Sequence, residues 1–397
     1  MRRTALLVGL LFAAWFSWAG QELHRDEAAP TPESAQQLVG AIAELIRDYY
    51  VDDVPEQALL DGALRGMLES LDPHSSYLSP TTLALLRDNN RGQYYGYGLE
   101  VAVDEGKIRV ITPLGGSSAE AAGILPGDIL LQVDDLVASA DNLDPLIAYI
   151  KQSSLEDRRL LLTLARQDSD TPLQIRLSPT QIQIASSNSD TLPNNVGYLR
   201  ISNFSQRTVY EVRDAALRLQ RGPLAGLVVD LRNNPGGLLD AAVQVADMFL
   251  TQGTIVTTSG RFYDANSEYR ASSFALFGDV PLVVLINQGS ASAAEILAGA
   301  LKDNERALLV GERSYGKGTV QSLIPLLGQG GAIKLTTARY ATPAGREIDQ
   351  IGIEPDFIIP LDDQQLEDIV SGIDELKSWK DDRQLLAAYD ILAPAPH

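Results

Sequence analysis

Two spacings of apolar residues divide this chain. From residue 33, Leu38, Ile42, Leu45, Ile46 and Tyr49 recur every three or four positions, the stripe of an amphipathic helix. Pro55, at a helix start, opens a second stripe through Leu60, Leu64, Met67 and Leu68. Stripes of this kind serve a core or a dimer surface. Between 95 and 180 the spacing falls to two. Residues 99–103 and 108–111 flank an Asp104-Glu105-Gly106 turn and predict a hairpin. A short helix at 118–123 ended by glycine, a strand at 129–133, a helix near 144–152 and a strand at 160–165 complete a β-rich module. Residues 195–360 alternate again. A buried strand at 227–231 runs into the turn Arg232-Asn233-Asn234-Pro235-Gly236-Gly237 and a helix at 238–250. A second, at 281–286, breaks at Asn287-Gln288-Gly289 into a helix at 291–301. That alternation predicts an α/β core. Beyond 364 the tail reads as a charged helix with Ile369, Ile373, Leu376, Leu385 and Leu386 as its apolar positions.

The first residues change the picture of where the chain works. Arg2 and Arg3 precede an apolar run at 5–19, and Ser17 and Ala19 give the small-x-small spacing of a cleavage site. The run is short of the roughly 20 residues a membrane span needs. It predicts a cleaved secretory signal over 1–20 and an extracytoplasmic, periplasmic location; an uncleaved anchor is the alternative. No second long apolar run appears, so the mature chain is expected to be soluble. The expected domains are a helical region at 21–94, the β-rich module at 95–180, the α/β core at 181–361 and a helical tail at 362–397. With no cysteine, an exported chain has no disulfide and no lipid anchor of the lipoprotein type. Thirty-two Lys and Arg against 52 Asp and Glu, a net charge of −20, leave little room for the cationic face that a nucleic acid requires.

Elimination narrows the chemistry. His24, His74 and His397 are the only histidines, so a Ser-His-Asp triad would have to use His74, which sits in a turn-like Asp72-Pro73-His74. A cysteine nucleophile is impossible, and the separations argue against a zinc site with two or three histidine ligands, while metal sites made only of carboxylates stay open. A hydrolase would then need lysine as its base. Of seven lysines, Lys317 alone lies between glycines and ahead of an apolar run, in Tyr315-Gly316-Lys317-Gly318-Thr319-Val320-Gln321. A neutral lysine near pH 7–8 needs its pKa lowered by about 3 units, and desolvation is the natural cause. On a strand, Lys317, Thr319 and Gln321 would share a face, with Val320 opposite and the Gln321 carboxamide oxygen able to orient the amine. An exposed turn is the plainer reading of a glycine-flanked lysine. For the nucleophile, buried strand, glycine turn and helix over Gly289-Ser290-Ala291-Ser292-Ala293-Ala294-Glu295 present a serine where free N–H groups hold an oxyanion. Either Ser290 or Ser292 could instead only cap the helix. A rival, Ser314-Tyr315-Gly316-Lys317, matches S-x-x-K but needs a helix that two glycines oppose.

Taken together, these segments resemble the C-terminal processing (tail-specific) peptidases over roughly residues 35–360. The serine and lysine segments and Arg232–Gly237 carry the likeness, with Leu71-Asp72-Pro73-His74-Ser75, Tyr340-Ala341-Thr342-Pro343-Ala344-Gly345 and Gly352-Ile353-Glu354-Pro355-Asp356, the last two as closing strands. The resemblance implies a ClpP/crotonase-like α/β core. It implies Ser292 as nucleophile, Lys317 as general base and Gln321 as the residue positioning it. The oxyanion hole would use the N–H groups of Ala293 and of Gly236 or Gly237. It makes the inserted β-rich module a PDZ domain of the permuted bacterial type. There Tyr97-Gly98-Leu99-Glu100 would hold a terminal carboxylate, and Leu146 and Ile150 would read the last side chain. The family pattern departs at Ser118, where proline is usual, and at Ser153-Ser154-Leu155-Glu156-Asp157, where a glycine-rich turn is usual. The implied partners are proteins or peptides with apolar C-termini, an activating adaptor and further copies of the chain through its terminal helices. No cofactor or metal is needed. The contrasting function is a scaffold whose PDZ-like module captures protein tails over an inert core.

Overall fold

The strands at 227–231 and 281–286 were read as continuous apolar runs, and the reason is that both faces of their sheet are covered. In this computed structural model, which describes residues 32–361 and 379–393 apart from 105, 168, 170, 263, 264 and 329, Gly226–Asp230 and Leu282–Ile286 lie at the middle of a six-stranded sheet. Its order is Ser187–Leu192, Val196–Ile201, Gly226–Asp230, Leu282–Ile286, Leu308–Gly311, Phe357–Ile358. The first pair is antiparallel and the rest are parallel. Side chains alternate between faces. Leu227, Val229, Val284 and Ile286 meet the helices Thr208–Leu219, Leu239–Asp247 and Ala293–Asp303. Val228, Val283, Leu285 and Val310 meet the C-terminal helix Arg383–Leu392 through Leu385 and Ala388. Each fully buried Val or Leu contributes about 1.5–3 kcal/mol. The C-terminal helix thus covers the second face of the sheet, a use the sequence reading did not foresee for its terminal helices.

Asp382 fastens that helix. Its carboxylate accepts the N–H groups of Gln384 and Leu385, both at 3.0 Å, capping the first turn. It also pairs with Arg232 at 2.8 Å. Arg232 is buried and forms a second ion pair with Asp230, at 2.6 Å. Burial opposes ionisation of both groups, but each charge outweighs that for the other, so Asp230 is held below and Arg232 above its ordinary range.

A second sheet is built around the long strand Ala332–Ala341, which pairs with Ser76–Leu78, Thr254–Gly260 and Thr319–Pro325; Ser267–Arg270 extends it. The β-rich module folds around its own core, with Ile108, Val110, Leu130, Val133, Leu160, Leu162, Leu164 and Leu177 inside. Its sheet runs Leu99–Asp104, Lys107–Pro113, Ile129–Val133, Leu160–Ala165, Leu173–Leu177, with Leu136–Val137 beside the third strand. The chain enters and leaves through Gln93–Gly96 and Thr180–Gln183, which pair antiparallel as the neck of an insertion. The segment at 153–157 continues the helix Leu143–Leu155 and then turns at Asp157, φ 52°. The neck reaches it: Tyr95 Oη donates to Asp157 at 2.6 Å and Tyr97 Oη to the Arg158 carbonyl at 2.6 Å.

Residues up to Met67 form a separate unit. Its helices, Pro32–Tyr49 and the start of Glu56–Glu69, follow the two predicted stripes. The first stripe is open to solvent, with Leu38 60% and Tyr49 81% exposed. The signal segment and most of the tail helix lie outside the described residues.

Candidate active site

Two loops leave the carboxyl ends of neighbouring parallel strands, where open α/β sheets place their ligands. One follows Gly226–Asp230 and carries Arg232 to Gly237; the other follows Leu282–Ile286 and carries Asn287 to Ser292. They are stitched together. The Ala291 N–H donates to the Asn234 carbonyl at 2.9 Å, and Asn287 Nδ2 to Asn233 Oδ1 at 2.9 Å. Ser290 is buried, with its Oγ donating to the Leu231 carbonyl at 2.8 Å and accepting the Asn287 N–H at 3.0 Å. It therefore closes the turn and does not cap the helix.

Ser292 stands at the helix tip with φ 55° and ψ −114°, a left-handed conformation unusual for serine. Such a residue costs about 1–3 kcal/mol, which the surrounding contacts must hold. The bend turns its side chain into a cleft of about 930 Å³ that also takes in Gly237, Ala293, Lys317, Gln321 and Lys334. Gly236 packs against it so tightly that an added Cβ would lie 2.8 Å from Ser292 Cβ and 2.9 Å from the Ala293 nitrogen. The two glycines of the loop differ in their hydrogen bonding. The Gly236 N–H is committed to Asn234 Oδ1 at 2.8 Å. The N–H groups of Gly237 and Ala293 have no acceptor among the described residues, and both residues border the cleft.

Lys317 lines the same cleft. Its flanking glycines let the backbone at 349–352 close on it. A Cβ on Gly316 would meet the Gly352 nitrogen at 2.8 Å, and one on Gly318 the Asp349 nitrogen at 2.6 Å. The amine is half-buried and its pKa falls below the lysine range, first through desolvation and then through the positive charge of Lys334; the carboxylate of Glu295 opposes both.

Gln321 is placed differently from the alternating pattern. The strand begins at Thr319, and a bulge between Val320 and Gln321 shifts the register, so Thr319, Val320 and Gln321 all border the cleft. The Gln321 carboxamide nitrogen donates to Thr319 Oγ1 at 2.9 Å and Thr336 Oγ1 at 3.4 Å; no hydrogen bond joins it to Lys317 among the described residues. Ser314 is not a rival nucleophile. It lies in non-helical backbone, is buried, donates to Glu295 Oε1 at 2.6 Å and accepts the Ile353 N–H at 2.7 Å. His74 is outside the cleft, its N–H bound by Asp72 in a turn.

Sequence reasoning missed Glu295 and Tyr340. Glu295 was noted only as the end of the serine segment, yet it is 0% exposed. A buried carboxylate needs donors, and it has four: the N–H groups of Ser292 (2.7 Å), Gly316 (2.7 Å) and Lys317 (2.9 Å), and the Ser314 hydroxyl. The one available signal was an acid three residues into an otherwise small and apolar helix start.

In the β-rich module, Gly98 (φ 81°) has Ser117 where a Cβ would sit, at 2.0 Å, so only glycine fits. Tyr97 is buried, and Leu99 and Ile150 are partly buried against the module's core. Leu146 is 2% exposed and belongs to that core, which takes it out of any open groove. Leu99 and Glu100 open the edge strand of the sheet.

The sequence comparisons decide the family. The family model of peptidase family S41 matches residues 195–359, and that of the activating protease CtpB N-terminal domain matches 16–82. A carboxy-terminal-processing protease of Bartonella bacilliformis is 37% identical over 381 residues, covering 89% of this chain and 87% of that protein. The chain belongs to peptidase family S41. The carboxy-terminal processing protease CtpB of Bacillus subtilis, another relative, is 32% identical, covering 86% of this chain and 73% of its own. A solved putative S41 protease from Bacteroides fragilis aligns over 90% of this chain and 98% of its own, with a TM-score of 0.56 at 17% identity, and shares the mixed α/β fold. This S41 chain is accordingly an enzyme, a serine-type peptidase of the carboxy-terminal processing kind.

Proposed function

We propose that this peptidase cuts protein chains with Ser292 as nucleophile and Lys317 as general base. The observation that carries the reading is a left-handed serine at a helix tip lining the same cleft as a half-buried lysine, with two N–H groups there that have no acceptor among the described residues. Ser292 Oγ attacks the scissile carbonyl while its proton passes to the Lys317 amine. The oxyanion is held by the N–H groups of Ala293 and Gly237. The tetrahedral intermediate expels the amine of the downstream peptide, which takes the proton from Lys317, and leaves an acyl-enzyme. Lys317 then takes a proton from water, whose hydroxide attacks the acyl carbon; the ester C–O bond breaks, Ser292 Oγ takes the proton back from Lys317, and the upstream peptide leaves with a new carboxyl end. Gln321, hydrogen-bonded to Thr319, shapes the wall beside Lys317 and does not hold the amine directly.

Substrate choice falls to the β-rich module, read as a PDZ domain. Leu99–Asp104 is the edge strand of its sheet, with an open ladder for an extended C-terminal tail, and the Gly98 turn precedes it. Leu99 and Ile150, partly exposed, are the apolar contacts for the last residue. Export, activation by an adaptor and self-association complete the proposal. Among the described residues no helix is long and apolar enough to cross a membrane. Ser292→Ala and Lys317→Ala should each abolish cleavage of an unstructured protein with an apolar tail; normal turnover by either variant would refute the assignment.

A further inference from the structure

The two proposed reacting residues sit on loops that share no secondary-structure element, yet all four of their backbone polar groups are held by the same two buried side chains. Glu295 Oε2 accepts the Ser292 N–H at 2.7 Å and the Lys317 N–H at 2.9 Å. Tyr340 Oη lies 3.1 Å from the Ser292 carbonyl and in a short contact with the Lys317 carbonyl. Glu295 is on the helix that begins after Ser292, whereas Tyr340 is on the long strand Ala332–Ala341 that also pairs with the strand following Lys317. The other oxygen of Glu295 takes Ser314 Oγ and the Gly316 N–H, so the carboxylate grips the lysine loop at three residues, Ser314, Gly316 and Lys317. Tyr340 is 2% exposed, and burial pushes its phenol well above its ordinary range, so the donor proton stays in place.

We propose that Glu295 and Tyr340 form a two-point clamp that sets the separation and aim of Ser292 and Lys317, making both of them positioning residues of the peptidase reaction. Their side chains bond backbone groups of Ser292 and Lys317. The clamp holds N–H groups from one side and carbonyls from the other, which fixes rotation of each loop as well as distance. It also opposes the strain at Ser292, because the N–H and the carbonyl of that residue are the groups a relaxed backbone would swing away. The inference rests on the Ser292–Lys317 reading above.

Tyr340→Phe keeps the ring and removes the only hydroxyl. The clamp predicts a fall in kcat of about tenfold to a hundredfold, the usual cost of displacing reacting groups by around 1 Å, with KM within about twofold and the thermal midpoint near wild type. Glu295→Gln cannot satisfy the site in either orientation, because its NH2 must face either the Ser292 and Lys317 donors or the Gly316 and Ser314 donors. It should lose more activity. It should also move the rising limb of the kcat/KM–pH profile to lower pH, because it removes a negative charge that favours protonated Lys317. Ser292→Ala separates the two claims. If Ser292→Ala is inactive while Tyr340→Phe keeps wild-type kcat, or Glu295→Gln keeps both kcat and the limb, the clamp is wrong and the site stands. If Ser292→Ala cleaves normally, the site itself is wrong. Loss of kcat only in step with loss of cooperative unfolding in both clamp variants would also overturn the proposal.

Discussion

The serine loop and the lysine loop share two buried side chains but are otherwise shaped differently. Ser292 owes its exposure mostly to its own neighbourhood. A buried strand ends at Ile286, Asn287 and Ser290 tie off the turn, and the backbone flips to φ 55° just before the helix. Lys317 owes its place to distant parts of the chain. Glu295 stands 22 positions before it and Tyr340 stands 23 after it, while the backbone at 349–352 packs against its glycines. The proposed nucleophile takes its backbone conformation from a local turn and the proposed base takes its place from tertiary packing. Damage to the lysine's surroundings should therefore reach activity from farther away.

The comparison breaks hardest at the base itself. Lys317→Arg keeps a cation and the stem but cannot give up a proton near neutral pH, so kcat/KM should fall by about 10⁴-fold or more with no change in unfolding; retained activity would mean that another group takes the serine proton. Next comes the floor beneath the oxyanion loop. Arg232→Met strands the buried Asp230 and frees the capping Asp382, which should cost about 3–5 kcal/mol in denaturant unfolding. A smaller effect sharpens the role of distance. Gly318→Ala drives a methyl into the Asp349 backbone and should lower kcat about tenfold. Gly115→Ala, with open space around its Cβ position, should change nothing measurable. The smallest effect isolates electrostatics. Lys334→Ala removes a positive charge that helps hold the Lys317 pKa down, so that pKa rises and the alkaline-going limb of kcat/KM moves to higher pH.

The same contrast explains what the sequence could reveal. Strands and helices of the core were legible because their apolar runs are buried on both sheet faces, and the β-rich module because its alternation matches a sheet with its own core. Ser292 was legible as strand, turn and small residues in a row. Lys317 stood out only by elimination and by its glycines, since nothing within the segment shows that Asp349 and Gly352 lie against it. The bulge at Val320–Gln321 broke the alternation on which the orientation of Gln321 depended; a bulge has no side-chain signature of its own here. Leu146 was expected in a groove through the resemblance to a PDZ domain, but only packing tells a core-facing leucine from one that lines a groove. Glu295 and Tyr340 were hidden because their work is to hold backbone groups brought together by folding.

The wild-type pH dependence of kcat/KM, with a saturable unstructured substrate, tests most directly whether burial keeps the Lys317 amine available as a base. The account predicts a rise through a single ionisation below the ordinary lysine range, the limb being lost in Lys317→Ala. A profile flat from about pH 6 to 9 would contradict it, because a group that titrates in that window cannot then be the one that removes the serine proton.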